Sequence, residues 1–442
     1  MDLKDRLEIL KKIQREKTER SFLKDEKIAK EWENIQKEEL SKREKLEKLI
    51  EISQKIKEKT AQKEAEKIET FNYFEIPDEF EHPFNADFKL GKILIRDGFS
   101  DFRRELGILG KDLTFHSLNL NETLFLDLET TGLSGGTGVI PFLIGLGFYE
   151  EEKYKIKHYF IRDLKEERYI LEKFQCFLQE RNFSGLITYN GKNFDLPILE
   201  ARFILNRVPN PFVNIPHLDF LYPARKIWKY KYQNCSLSYL GEMILNIKRD
   251  EDIPREEIPL RYSTYLRTGN FSLIEPVIYH NELDLIALLG LVVTASLILK
   301  SPENQTEDPI EIFGISRIYE TVEDEENCLY NLKMAVERGL PGELNIIARK
   351  KLALNLKRKN QWKEAIKIWD EIQQIDFESA VELAKYYEHK EKKIDRAFEL
   401  VESLYEKIND LSFSKKDELE IRKNRLIKKL IHLKKSEGFI GK

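Results

Sequence analysis

The sequence predicts an α/β domain with a mixed sheet flanked by helices, together with helical regions at both ends of the chain. Three observations support this fold class. Short apolar segments alternate with helix-length segments over residues 123–300, and apolar residues recur at helical spacing within residues 1–68. Residues 311–442 have the pattern of consecutive helices and show no strand signals.

The composition of the 442-residue chain limits its class. Hydrophobic residues make up 41% of the chain and charged residues 34%, and the formal net charge is −4. A nucleic-acid partner would therefore need a local basic groove, because the chain as a whole is not basic. The three cysteines are far apart and form no CxxC, which argues against a disulfide framework or zinc site and predicts a reducing, cytoplasmic location.

The amino-terminal region divides into two predicted segments. Residues 1–68 are rich in Lys and Glu and contain neither Gly nor Pro, which predicts one or two amphipathic helices that pack on the protein or on a partner. Residues 69–122 are aromatic and irregular, and we expect them to form a flank packed on the next domain. The first residues lack an apolar signal segment, and no segment is predicted to span a membrane.

The central segment, residues 123–300, contains the predicted sheet. The pattern predicts three successive strands, LFLDLE, VIPFLIGLGFY and KYKIKHYFI, which are separated by the turn sequences SGGTG and EEEK. A helix (EERYILEKFQCFLQER), a short strand (GLITYN), a helix from about residue 194 and a long apolar helix over about 277–298 follow. SGGTG (134–138) either offers backbone amides to a phosphate or is a plain turn.

The carboxyl-terminal region follows a polar linker, residues 301–310. Two stretches within it resemble each other, with Ala365 and Ala397 in matching places 32 residues apart. That spacing is close to tetratricopeptide helix pairs, and a plain helical bundle is the alternative. These helices, or those of residues 1–68, are candidates for binding a protein partner.

Two acids interrupt the first predicted core strand, LFLDLETTGL. Asp127 and Glu129 point to the same side of a strand because side chains alternate. Two buried carboxylates on one face repel each other, and a hard divalent cation such as Mg²⁺ or Mn²⁺ relieves that repulsion. The alternative is a strand that ends at the surface with both acids solvated.

Two further motifs contain acids in places that suit a metal site. Asp195 in YNGKNFDLPIL follows a turn at the predicted start of a helix, where the helix amino terminus stabilises a carboxylate. In HNELDLIAL, His280 and Asp284 are four residues apart and share one helix face, whereas Tyr279 points elsewhere. Taken singly, each has an ordinary structural explanation.

Together these residues resemble the DEDD superfamily of 3′–5′ exonucleases, which have the ribonuclease H-like fold. The narrower resemblance is to the bacterial YprB-like group, which often has tetratricopeptide-like helices downstream. It covers about residues 90–300 and is carried by the segments LDLETTGLSGGTG, YNGKNFDLPIL, HLDFLYPARKIW, DIPREEIPLRYSTYLRTG and HNELDLIAL.

This sequence departs from the superfamily pattern before the last acid. Superfamily members have Tyr with three intervening residues or His with four, whereas here His280 has the spacing of the tyrosine and Tyr279 that of the histidine. Helix geometry favours His280 as the residue that faces the metals. Tyr279 remains the alternative for the general-base position.

The resemblance implies a two-metal-ion phosphodiesterase, a 3′–5′ exonuclease that acts on single-stranded DNA or RNA and releases nucleoside 5′-monophosphates. It implies two Mg²⁺ or Mn²⁺ ions. The implied ligands are Asp127, Glu129, Asp195 and Asp284, and His280 would accept the proton of the attacking water. The sequence leaves open whether the substrate is DNA or RNA.

The segment PARKIWKYKYQN (223–234) mixes basic and aromatic residues, as grooves for single strands do. We predict that the substrate contacts Arg225, Lys226, Trp228 and Lys229 from this segment, together with Asn190 from the preceding motif. The alternative is a surface element whose aromatic rings belong to the core. Asp219 in HLDFLYPAR is predicted to be structural or to support the site.

Two other functions are compatible with the sequence. An endonuclease of the ribonuclease H type shares the fold and the acids. A scaffold that binds nucleic acid or protein without catalysis is the alternative from another class. Retention of all four acids argues against a lost activity.

Overall fold

The structure is a computed structural model that describes residues 76–111, 118–132, 138–250, 252–405 and 412–440. The predicted helices of residues 1–68 lie outside the described residues. The same holds for the SGGTG turn except for its last residue, Gly138.

The central element is a six-stranded mixed sheet with the order β1-β6-β5-β4-β7-β8. β4 pairs antiparallel with β5 and parallel with β7, so the predicted mixed sheet is confirmed. The strands are β1 Glu79–Phe84, β2 Lys89–Leu90, β3 Ile93–Leu94, β4 Thr123–Thr130, β5 Pro141–Glu150, β6 Lys153–Phe160, β7 Gly185–Thr188 and β8 His217–Asp219, with β2 and β3 forming a separate hairpin.

Helices cover the sheet and make up the carboxyl-terminal part of the described chain. The helices up to the end of the central domain are α1 Arg103–Gly110, α2 Glu167–Arg181, α3 Asp195–Asn206, α4 Leu221–Trp228, α5 Leu237–Leu245, α6 Ile258–Thr268 and α7 Glu275–Lys300. Those that follow are α8 Pro302–Gln305, α9 Pro309–Thr321, α10 Glu325–Glu337, α11 Gly342–Arg358, α12 Trp362–Ile372, α13 Phe377–His389, α14 Ile394–Tyr405 and α15 Phe413–Ile440.

The segment 69–122, predicted to be an irregular flank, contributes an edge strand to the sheet. β1 pairs antiparallel with β6, in the register Glu79↔Tyr159 to Phe84↔Tyr154. The expectation of irregular structure is wrong here because Pro83 and the neighbouring aromatic residues obscure the alternation of a strand. A proline is tolerated in this place because an edge strand leaves some backbone N–H groups unpaired.

Helix α7 is the central helix of the domain and packs on β4, β5 and α5. Within the described residues, the stretch 271–300 is long and apolar enough to cross a membrane by length and composition, which the sequence analysis does not predict. Yet 78% of its most apolar window is buried inside the protein. A helix that is apolar on all sides and enclosed by protein has the character of a core helix.

The helical region joins the domain through a close contact between α4 and α9. A Cβ on Gly314 of α9 would lie 2.5 Å from the Cα of Ile227, so only glycine allows the two backbones to approach this closely. From α9 to α15 each helix packs on the next. Ala365 and Ala397 are fully buried on α12 and α14, the second helices of two successive pairs.

Candidate active site

The two acids of β4 lie together on one face of the sheet, in a cleft of about 1120 Å³. Asp127 is 6% exposed and Glu129 3%, because α7 covers this face of β4. The residue paired with Asp127 on β5 is Gly145, which has no side chain to fill the space beside the carboxylate. The expectation that both acids share one face agrees with this geometry.

Asn281 of α7 forms hydrogen bonds with both acids. No sequence motif indicated this role. Its Nδ2 donates to Asp127 Oδ2 at 2.7 Å and to Glu129 Oε1 at 3.4 Å. Its Oδ1 must therefore accept, and His158 Nε2 donates to it at 3.1 Å. Burial lowers the pKa of His158 to about 4, which keeps the ring neutral and suited to a single N–H donor. This chain of hydrogen bonds fixes the carboxylates of β4.

Gly145 makes the approach of Asn281 possible. An added Cβ would lie 1.7 Å from Asn281 Oδ1, so Gly145→Ala must displace the amide that holds the acids. We expect this variant to lower Tm by about 5 °C or more, since overpacking of a buried site costs ~1–3 kcal/mol and disturbs buried hydrogen bonds as well. Thermal unfolding followed by circular dichroism measures the effect.

Gly138→Ala is the matched control for that substitution, since a Cβ there meets no atom of a described residue within 4 Å. The second substitution Asn281→Ala in the Gly145→Ala background should restore part of the lost stability, because it removes the clashing amide. Equal Tm values for Gly145→Ala and Gly138→Ala would contradict the placement of Asn281.

Asp195 begins helix α3 and is 4% exposed in the same cleft. The preceding turn is held by Asp219, whose Oδ1 accepts from the Asn190 N–H at 2.7 Å and whose Oδ2 accepts from the Lys192 N–H at 3.1 Å. Asn190 has a φ of 68°, a left-handed conformation that asparagine tolerates. Asp219 thus shapes the turn that presents Asp195, in keeping with the supporting role predicted for it.

His280 and Asp284 lie on the face of α7 that lines the cleft, whereas Tyr279 is 40% exposed and lies outside its lining. His280 Nδ1 donates to Asp252 Oδ1 at 2.7 Å. Its Nε2 is buried, has no hydrogen-bond partner among the residues that the structure describes, and lies 3.8 Å from Asp284 Oδ2. Asp252 thereby orients the ring so that Nε2 points to the acids.

Two arginines from the connection between α5 and α6 complete the site. Arg249 donates to Asp284 and, at 2.9 Å, to Asp252. Arg255 lines the same cleft. Burial alone would lower its pKa, but the four acids of the cleft raise it. No sequence signal marked these residues or Asp252 as part of the site, although all three lie in or beside the segment DIPREEIPLRYSTYLRTG.

Three acids of the cleft hold protons more tightly than free carboxyls. Desolvation by burial is the main cause, and it raises the pKa of Glu129 to about 8 and that of Asp195 to about 7. The pKa of Asp127 is also raised well above its usual range, by burial and then by repulsion from Asp284 and Glu129. Three of the four acids therefore resist full ionisation unless positive charge is brought to them.

The donor set fits a hard divalent cation. Four buried carboxylates face one cleft, and oxygen donors suit Mg²⁺ or Mn²⁺. Among the described residues, however, no three His, Cys, Asp or Glu side chains are already arranged as a ligand shell. Arg249 donates to Asp284 and Asn281 donates to Asp127, so each of these two carboxylates has one oxygen already engaged.

The residues predicted to contact the substrate lie in different parts of the structure. Asn190 and Arg225 line the cleft, and Lys226 lines a neighbouring cavity together with Arg225. Lys229 is exposed and lies outside both linings. The prediction for Trp228 is wrong, because its ring is fully buried in the core between α4 and its neighbours and is not accessible to a base. The amphipathic pattern of α4 places this aromatic residue inside.

Residues 124–296 match the family RNase_H_2, which is described as part of the RNase_H superfamily. The six-stranded mixed sheet and its flanking helices are consistent with a ribonuclease H-like fold. The matched segment begins just before the β4 acids and ends beyond Asp284, so it includes all four acids of the cleft. The chain is also 29% identical over 327 residues to "Uncharacterized protein YprB" of Bacillus subtilis (strain 168), covering 73% of this chain and 78% of that protein.

Among solved structures, the chain is similar to the family B DNA polymerase from the hyperthermophilic archaeon Pyrobaculum calidifontis, with a TM-score of 0.32 and 15% sequence identity. The similar region covers 45% of this chain and 29% of the polymerase chain. The chain thus spans less than a third of that polymerase.

Proposed function

We propose that the protein is a metal-dependent 3′–5′ exonuclease that hydrolyses phosphodiester bonds of single-stranded nucleic acid. The observation that carries the proposal is the convergence of Asp127, Glu129, Asp195 and Asp284 in one cleft of a ribonuclease H-like domain. The motif order that resembles the DEDD exonucleases supports the 3′–5′ direction. Nucleases of the ribonuclease H-like superfamily generally hydrolyse phosphodiester bonds, which supports the reaction class.

The four carboxylates are the proposed ligands of two Mg²⁺ or Mn²⁺ ions. Such ions, when bound, lower the pKa of water and neutralise charge on the phosphate and the leaving oxygen. Asn281 orients Asp127 and Glu129 for this task, and the turn held by Asp219 orients Asp195. Arg249 must release Asp284 for that carboxylate to act as a ligand.

His280 is the proposed general base. Asp252 holds the proton of the ring on Nδ1, which leaves the lone pair of Nε2 directed into the cleft. A base held in place by a carboxylate is a recurring arrangement in hydrolytic sites. The neutral ring would accept a proton from the attacking water at Nε2.

Arg255 is the proposed contact to the scissile phosphate. Its guanidinium interacts electrostatically with all four acids. It forms no hydrogen bond, and no salt bridge of 4 Å or less, with a described residue. Its N–H donors are therefore available for phosphate oxygens, which arginine binds in a bidentate manner. Loss of such a donor typically costs ~10²–10³ in kcat.

The helical region is the proposed tetratricopeptide-like part of the chain. The buried positions of Ala365 and Ala397 in successive helix pairs support this proposal. We propose a protein partner for these helices and a cytoplasmic location. Both follow from the sequence patterns described above.

The decisive experiment uses single-stranded DNA and RNA oligonucleotides labelled at the 5′ end, with Mn²⁺ or Mg²⁺ and with EDTA as the blank. An exonuclease produces a ladder that shortens from the 3′ end and leaves a covalently closed single-stranded circle intact. An endonuclease of the ribonuclease H type cuts the circle, or cuts the RNA strand of an RNA–DNA hybrid at internal positions. Absence of any cleavage would favour the scaffold.

His280→Ala should lower kcat by about 10²-fold or more, in line with the contribution of general-base catalysis. We expect the variant to retain Mn²⁺ binding, measured as an increase in Tm on addition of Mn²⁺, because the four acids are unchanged. Single-turnover digestion of a labelled oligonucleotide gives the rate.

Tyr279→Phe is the matched control for His280, since it alters the neighbouring residue that lies outside the cleft. Its rate should stay within twofold of the wild-type rate. A large loss in Tyr279→Phe together with an active His280→Ala would assign the base to the tyrosine instead.

A further inference from the structure

A second cavity lies beside the active-site cleft, with a volume of about 320 Å³. Its walls come from five parts of the chain: the end of α1, the turn that Asp219 holds, strand β8, helix α4 and helix α9. It therefore lies where the ribonuclease H-like domain meets the first long helix of the helical region.

The charge of this cavity is strongly positive. Its lining contains Lys111, Lys192, Arg225 and Lys226 against one acid, Asp219. None of the four basic side chains forms a salt bridge with a residue that the structure describes. The carboxylate of Asp219 is already engaged by the backbone N–H groups of the turn, so it does not neutralise them.

Lys226 is half-buried in this cluster of like charges. Burial lowers its pKa, and repulsion from Lys111 and Arg317 adds to the effect. Glu320, which opposes the shift, is itself paired with Lys351 at 2.6 Å. Holding unpaired cations together costs free energy in the free protein, and a bound anion removes that cost.

The cavity continues from the cleft. Arg225 lines both of them. Asn190 lines the cleft, and Lys192, two residues further along the same turn, lines the cavity. Tyr222 adds a partly exposed ring to the cavity wall, and exposed rings are the surfaces on which single-stranded bases stack.

We propose that this cavity is a second phosphate-binding site, which holds a backbone phosphate of the single strand whose end occupies the cleft. The proposal rests on the proposed function for the identity of the strand. It assigns Lys111 and Lys192 to substrate binding, and it gives the contact between the domain and α9 a role in that binding. A free nucleotide carries the same phosphate chemistry and is the other source of the anion.

The test is binding in EDTA, which requires no hydrolysis. The full chain and the variant Lys111→Gln/Lys192→Gln are titrated into fluorescent oligonucleotides of 4 and 12 nucleotides at several salt concentrations, and anisotropy gives Kd. We expect the variant to bind the 12-mer about tenfold more weakly and the 4-mer within twofold of wild type. The slope of log K against log salt for the 12-mer should fall by about 0.7, the contribution of one single-strand phosphate contact.

Lys165→Gln is the matched control, because Lys165 is exposed and lies outside both linings. Equal 12-mer affinity and salt slope in the double variant and the control overturn the proposal. The proposal is also overturned if calorimetry shows that a nucleoside monophosphate binds wild type but not the double variant, while the 12-mer binds both equally. Failure of the proposed function appears separately, as intact oligonucleotides in the Mn²⁺ digestion.

Discussion

Asp127→Asn should abolish Mn²⁺-dependent hydrolysis, with a loss of at least ~10³-fold, while raising the stability of the metal-free protein. Activity falls because the central carboxylate of the proposed ligand set loses its charge without a change in shape. Stability rises because burial beside Asp284 and Glu129 raises the pKa of Asp127, so folding near neutral pH must either bury a repelled charge or take up a proton. An amide requires neither. Activity and Tm of the same preparation are the two measurements.

The opposite signs of the two effects make this prediction specific. If Asp127 had a merely structural role, its substitution would lower the activity and the stability of the protein together. Asp195→Asn, which changes another buried acid of the cleft, should behave in the same way.

The matched control is Asp87→Asn, an identical chemical change at an exposed carboxylate that pairs with Arg96 on the surface. Its activity should equal that of wild type, and its Tm should change little because exposed ion pairs contribute little. Full activity in Asp127→Asn would remove Asp127 from the catalytic set and, with it, the proposed function.

The metal-free protein should lose stability as the pH rises from 6.5 to 8.5, by an amount on the order of 1–3 kcal/mol. Glu129, with a pKa of about 8, and Asp195, with a pKa of about 7, hold protons in the folded state that the unfolded chain has already released. The folded state binds more protons in this range, so the free energy of unfolding falls as pH rises. His280, whose pKa is raised mainly by Asp252 against the effect of burial, acts in the same direction.

The lower limit of that range is set by two other histidines. Burial lowers the pKa of His158 and of His217 to about 4, so each adds stability as the pH rises from about 4 to 6.5. Below pH 6.5 these contributions oppose that of the acids. Above it the acids and His280 determine the sign.

Divalent ions should reverse the trend. Binding requires deprotonated carboxylates, so the increase in Tm on adding Mn²⁺ should grow from pH 6.5 to 8.5. An excess of 100-fold over Kd corresponds to ~2.7 kcal/mol. Thermal unfolding in EDTA and in Mn²⁺ across this range measures both effects.

Glu129→Gln provides the comparison for the pH experiment, because it removes an acid whose pKa in the folded state, about 8, lies within the pH range tested. Its metal-free Tm should vary less with pH than that of wild type, and Mn²⁺ should raise its Tm less. A wild-type Tm that is constant from pH 6.5 to 8.5 and indifferent to Mn²⁺ would contradict the description of the cleft as a cation site.

The sequence by itself determined the α/β domain, the mixed sheet and the set of acids that the fold brings into one cleft. These follow from local patterns. Strand alternation places Asp127 and Glu129 on one face, a turn followed by a helix places Asp195, and helical spacing places His280 with Asp284. Each relation spans a few residues, over which backbone geometry alone decides where a side chain points.

Only the tertiary structure decided which residues surround those acids. Asn281 donates a hydrogen bond to Asp127, which is 154 residues away in the sequence. Arg249 donates one to Asp284, which is 35 residues away. Trp228 has a ring of the kind that stacks on bases, but the helix packed above it places that ring in the core. Residues Glu79–Phe84 became an edge strand because β6 offered a free edge. Such contacts depend on the packing of distant elements, and no local periodicity encodes them.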